Sequence, residues 1–333
     1  MRQRKSRADP PRSRGLPRKI IVGAAVYPMW REYPGLEGRL KELGGLVEEM
    51  TRRAAERFTG ARLDLAVLPE YAVTGSRKRP LDRAAVPLSP KVLEPMGAVA
   101  RRAGCYVVLP LALAEEGWRL RYFNAAALLD RLGRLVGVYR YVHPSTREVQ
   151  DGLSPDGGFP VFDCDFGRLG IQFCGEVRYA DGWRTLARKG ADLIAFPTQP
   201  GYPSQVAARA MANRLYVLTS PWRGKAALHD PLGQVVAQAE AAQRVLVERI
   251  DLSYSILGWQ EELAGGKVFD ETYGPRAGYR YYEEEDWGIF WSNDPETPIA
   301  EMVRHLGLRT VDAEQRDSLR AQKKARGCGP NHR

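Results

Sequence analysis

Cysteine and histidine are scarce in this chain, four of each in 333 residues. The cysteines, Cys105, Cys164, Cys174 and Cys328, form no CxxC pair and lack the density of a disulfide framework, which argues against a disulfide-stapled secreted scaffold and suits a reducing compartment. With no HExxH and no paired CxxC, no metal site is expected. The absence of a GxSxG elbow, a Walker A loop and a GxGxxG after a strand argues against serine hydrolases and nucleotide-binding enzymes, and no organic cofactor is implied. Nor does any apolar run approach the roughly 20 residues of a membrane span. The N-terminal MRQRKSRADPPRSRGLPRK has no apolar stretch before Ile20 and so does not resemble a secretory signal. A soluble, cytoplasmic protein with no membrane partner is the expectation.

What is present is an ordinary globular composition, 44% hydrophobic and 27% charged, on a chain long enough to bury a substantial core. Much of the net charge of +10 sits in two basic tails, residues 1–17 and 311–333. Both read as solvated disordered segments, with nonspecific polyanion contact as the alternative. No zinc-finger or RNA-binding motif supports a specific nucleic-acid partner.

Between the tails, strand-like and helix-like segments alternate. KIIVGAAVYP is a continuous apolar run, the mark of a strand buried on both faces. Leu36, Leu40, Leu43, Val47, Met50 and Ala54 then recur at helical spacing. LDLAVLPE gives a second strand, a helix follows over about 90–103, and CYVVLPLAL, FNAAALLD and LVGVYRYV give three more strands, the last two in a hairpin around Arg131 to Arg134. LGIQFC is another strand. WRTLARKGADLIAFPT passes from helix to strand through Gly190, residues 203–214 look helical, and LYVLTSP, GQVVAQ and RVLVERIDL close one α/β domain over 18–251. Residues 252–310, short of strand-like runs and rich in aromatic and acidic residues, read as an extension that packs on its own domain or at a subunit interface, or serves as a lid.

Polar groups at the ends of apolar strands are candidates for a site, because α/β sheets gather ligands there. Glu70 follows such a strand and a proline. It is either a base able to take a thiol proton or a salt-bridged or capping glutamate. Cys174 ends LGIQFC before Gly175, whose small size opens the backbone to a substrate and frees an amide to face an oxyanion. It is either a nucleophile or one more small buried hydrophobe.

Together these segments resemble the nitrilase-like carbon–nitrogen hydrolases over most of residues 18–251. VLPEYAVTG is similar to the family's Pro-Glu block, GRLVGVYRYVHP to its Tyr-Arg-Lys-x-His block, FPVFDCDFGRLGIQFCGEVRY to its cysteine block, and GWRTLARKGADLIAFPT to the segment after it, in the family's order. The resemblance implies an α/β fold, a four-layer αββα sandwich, and a Glu-Lys-Cys triad acting on small amides through a Cys thioester, without a cofactor and in a homodimer or larger homo-oligomer. Carried onto this chain, Glu70 is the base, Cys174 the nucleophile and the Gly175 amide an oxyanion donor. Glu148 in HPSTREVQDG matches a second, substrate-side glutamate, against a plain loop acid. His143 matches a structural histidine, and Glu176 keeps an acid where the family has aspartate.

The departure is at the lysine, whose place is taken by Tyr141 in Tyr139-Arg140-Tyr141-Val142-His143. A neutral hydroxyl donates more weakly than a charged group, and loss of one oxyanion donor costs about 10²- to 10³-fold in rate. Arg140 would supply charge only through a one-residue slip of register. Two readings follow: a hydrolase of small non-peptide amides with Tyr141 in the lysine's place, and an inactive relative that keeps the pocket for binding or the surface for assembly.

Overall fold

A computed structural model describes residues 15–30, 32–75 and 80–327. Residues 1–14 of the disordered tail expected over 1–17, and residues 328–333 with Cys328, lie outside the described residues. The chain divides into two compact units, Ile20–Ile250 and one made of the remaining residues on either side.

The Ile20–Ile250 unit is an αββα sandwich. One six-stranded sheet runs in the order Val245–Asp251, Lys19–Ala25, Leu65–Val67, Tyr106–Glu116, Leu120–Leu129, Leu135–Arg140. The other runs Val235–Glu240, Lys225–His229, Tyr216–Pro221, Leu193–Thr198, Gly167–Ile171, Val161–Cys164. Parallel pairs fill the middle of each sheet, Val22 opposite Leu65 and Leu65 opposite Tyr106 in one, Leu169 opposite Leu193 and Leu193 opposite Tyr216 in the other. These strands carry the continuous apolar runs because both of their faces are covered. On the outside, the helices Gly35–Arg57 and Pro90–Ala103 bury Leu43, Val47, Met50, Val92 and Met96 on the first sheet. Ala180–Arg188 and Pro203–Asn213 bury Trp183, Leu186, Val206 and Ala210 on the second. Two strands, Lys225–His229 inside its sheet and Val161–Cys164 at its edge, escaped the sequence reading because they are only five and four residues long. The hairpin at Arg131 to Arg134 turns on Gly133 at φ 74°, where a Cβ would stand 2.2 Å from the Gly97 carbonyl oxygen.

The second unit corrects two expectations. The stretch expected to be short of strands holds an antiparallel sheet, Tyr254–Gly258, Trp287–Ser292 and Ala277–Tyr282 in spatial order. The acidic run Glu283–Glu285 is its turn, and the mixture of aromatics and charge on either side hid the strand alternation. Leu257, Phe269, Phe290, Ile299 and Met302 form a core of its own, with the Phe269 and Phe290 ring centroids 4.8 Å apart. Second, much of the expected basic tail is a helix, Val311–Gly327, built of strong helix formers with only Val311 buried. Among the described residues no helix is long and apolar enough to cross a membrane.

Candidate active site

Glu70, Tyr141, Cys174 and Thr198 all lie at or just beyond the C-terminal ends of strands in the sandwich, where the open ends of the sheets leave room for a ligand. The sequence-predicted groups meet there. Glu70 is 1% exposed; its Oε1 accepts from Asn124 Nδ2 at 2.7 Å, and Trp222 Nε1 donates to its carbonyl oxygen at 2.6 Å. Its Oε2 is buried with no partner at hydrogen-bond geometry among the described residues. The Cys174 thiol and the Gln199 side chain approach the carboxyl more loosely. Burial dominates, with help from the charge of Glu148, and pushes the Glu70 carboxyl up to about 8.

Cys174 is half-buried and opens a 3₁₀ turn, Cys174–Arg178, at φ 33°, a left-handed conformation that a β-carbon disfavours. Burial, then the neighbouring Glu70, raises its thiol pKa, while the Gln199 backbone N–H works the other way. At neutral pH the thiol and most of the carboxyl are therefore protonated, and only the ionised fraction of Glu70, which grows as pH approaches about 8, can take the thiol proton.

Tyr141 is buried, with its phenol edge against Phe173. Burial and the acids Glu70, Glu148 and Glu176 raise its pKa, so the hydroxyl stays a neutral donor. Its oxygen would stand 2.6 Å from a Cβ at position 175, which explains why the residue after the cysteine is glycine. Arg140 points the other way: its Nε donates to Glu115 Oε2 at 3.0 Å and its guanidinium lies over Phe123, so it brings no charge to Cys174. Glu148 lies in the short helix Thr146–Gln150, after Tyr141. It closes a capping box with Ser145, whose N–H donates to Glu148 Oε2 at 2.7 Å, and its charge reaches both Glu70 and Tyr141.

Glu176, 0% exposed, braces the site from behind. Its carboxylate accepts from Tyr139 Oη at 2.6 Å, Phe173 N at 2.8 Å and Val142 N at 3.0 Å, and Trp183 Nε1 donates to its carbonyl oxygen at 3.0 Å. The residue before Cys174 is thus tied to the residue after Tyr141. His143 stacks on Tyr179 with centroids 4.2 Å apart, and its Nε2 lies 3.3 Å from Asp181. Glu176, foremost, raises its pKa. Asn124, Thr198, Gln199, Tyr202 and Trp222 were not singled out in the sequence. Only Asn124 left a signal, a polar side chain inside the apolar run FNAAALLD.

Among the described residues no group of three or more His, Cys, Asp or Glu is arranged to hold a metal ion. Chemically, such an arrangement can offer a thiol, a carboxyl able to carry a proton, and hydroxyl and amide donors.

Known proteins resemble this chain. The family model described as carbon-nitrogen hydrolase matches residues 33–257. A nitrilase of Pyrococcus abyssi is 30% identical over 224 residues, 62% of this chain and 81% of that protein. An omega-amidase of Xenopus laevis is 30% identical over 186 residues, 48% of this chain and 67% of its own length. Among solved structures, Saccharomyces cerevisiae Nit3, a member of the nitrilase superfamily, superposes with a TM-score of 0.61 at 19% identity, covering 78% of this chain and 96% of that one. An amidase from Nesterenkonia gives 0.57 at 19% identity, over 69% and 90%.

Proposed function

Because the chain belongs to the carbon–nitrogen hydrolase family, we propose that it hydrolyses small non-peptide amides through a thioester on Cys174. Glu70 takes the thiol proton as Sγ bonds to the amide carbon. The tetrahedral oxyanion accepts from the Gly175 N–H and the Tyr141 hydroxyl. Collapse breaks the carbon–nitrogen bond, and the nitrogen leaves with the proton that Glu70 held. Water, deprotonated by Glu70, then attacks the thioester and releases the carboxylic acid, and the thiol is restored. Glu148 sits on the substrate side, where its charge already acts on Glu70. That its relatives include an omega-amidase supports this reading. The single observation that carries it is the buried Glu70 carboxyl, with one oxygen unpartnered, beside the half-buried Cys174 thiol.

The test is intact-mass spectrometry after incubation with a panel of small amides. An acyl adduct is expected on the wild type and not on Cys174→Ala; absence of adduct and of turnover across the panel rejects the reading. A second reading, a pocket retained for binding alone, is favoured by one observation, the tyrosine in the lysine's place. Activity that emerges only in Tyr141→Lys establishes it. Cytoplasmic location and a homodimer or larger assembly belong to the same proposal, and size-exclusion chromatography with light scattering checks the assembly.

A further inference from the structure

The geometry points to Tyr202 as a catalytic residue: its hydroxyl is a second side-chain donor to the oxyanion, so that two phenols, Tyr141 and Tyr202, share the work of one lysine. This rests on the hydrolase reading above and adds to it a residue from a segment that carries no recognisable motif.

Position is the first argument. Tyr202 Oη lies 4.0 Å from Cys174 Sγ, its only hydrogen-bond partner among the described residues. A carbonyl carbon bonded to that sulfur sets its oxygen one bond further out, toward the ~2.7–3.1 Å range in which an oxyanion donor works. The phenol is therefore too far for a strong bond to the resting thiol and well placed for the intermediate, which is the difference that favours a transition state over a ground state.

Backbone conformation is the second. Tyr202 has φ 47° and ψ 48°, left-handed for a bulky aromatic residue, and it precedes Pro203, which disfavours all but extended conformations. Such a residue costs about 1–3 kcal/mol. Gly201, which would take that conformation freely, does not have the positive φ. The turn strains the tyrosine and spares the glycine, and the strained conformation carries the phenol to the sulfur. Tyr71, next to Glu70, and Cys174 itself are strained in the same sense at φ 56° and 33°. Protonation is the third. Burial, and the nearness of Cys174, push the Tyr202 hydroxyl up to about 12, so it keeps its proton wherever the enzyme works.

Tyr202→Phe keeps the ring and the turn and removes only the donor. Two constants are read: the rate of acyl-adduct formation with an amide, and the affinity for a small aliphatic aldehyde, which forms a hemithioacetal on Cys174 with a tetrahedral oxygen in the oxyanion's place. Both are expected to fall by about 10²-fold, with KM for the amide little changed and the melting temperature held. Tyr202→Gly relieves the strained φ but gives up the ring's packing on the Trp183, Phe196 and Val206 core, and is expected to lose aldehyde affinity equally. Aldehyde affinity in either variant equal to wild type, or no aldehyde adduct on wild-type Cys174, overturns the proposal. The aldehyde needs no leaving group, so a wild type that binds aldehyde but never acylates rejects the hydrolase reading while the phenol is still decided.

Discussion

Glu70 and Glu176 are both buried out of reach of water, 1% and 0% exposed, in opposite surroundings. Glu176 collects three donors on its carboxylate and holds together the segments that carry Cys174 and Tyr141. Glu70 has one donor, an unpartnered oxygen and a proton held up to about pH 8. A buried carboxylate with all its lone pairs satisfied is a fastener. One left short of donors sits high in free energy as an anion, and that stored cost is what makes it a base strong enough for a thiol. Chemistry and scaffolding are separated by hydrogen-bond supply, on the same residue type.

The comparison breaks first at Glu70. Glu70→Gln is expected to lower turnover by about 10²- to 10⁴-fold, and to abolish the rise of kcat/KM with pH that the wild type should show through about 8. Stability should move in the opposite direction. The native state holds a proton that the unfolded chain releases near 4.5, so wild-type stability falls as pH climbs from 4.5 to about 8. The amide has no such dependence. Melting curves for both proteins between pH 5 and 9 should therefore diverge in favour of the variant on the alkaline side, and parallel curves would show that Glu70 is no more strained than Glu176.

Glu176→Gln tests the other partner. An amide turns one acceptor into a donor that faces Tyr139 Oη and two backbone N–H groups, and leaves buried donors unmade. A loss of roughly 3–5 kcal/mol is expected. Urea denaturation measures it. A variant that lost activity but kept its stability would move Glu176 from the frame into the chemistry.

How much of this was legible in the sequence depends on what each residue does to its neighbours. The sandwich was, because strands buried on both faces leave continuous apolar runs such as KIIVGAA and LIAFPT. Glu70 and Cys174 stood out as polar groups closing apolar strands. Tyr202 did not, because Gly201-Tyr202-Pro203 reads as a turn, and nothing in it shows that the strain falls on the tyrosine and not the glycine. The 254–292 sheet was hidden by its own composition: Tyr279 and Tyr281 alternate with Gly278 and Arg280, and a strand with aromatics on one face and no apolar aliphatics on the other loses the contrast that alternation needs.

The smallest expected effect lies where the two surroundings touch. Glu176 fixes Phe173 and Val142, and through them the distance between Gly175 and Tyr141, so closely that a methyl group at 175 would stand 2.6 Å from the Tyr141 oxygen. Gly175→Ala must displace the phenol, since the backbone on both sides is held. Overpacking of this kind costs about 1–3 kcal/mol. If the Tyr141 hydroxyl is an oxyanion donor, the same displacement lowers the acylation rate more than it raises KM. The double variant Gly175→Ala, Tyr141→Phe then separates the two effects: removing the hydroxyl relieves the clash and should return most of the stability while leaving the rate low. Recovery of both would mean that the phenol fills space beside Cys174 and donates nothing to it.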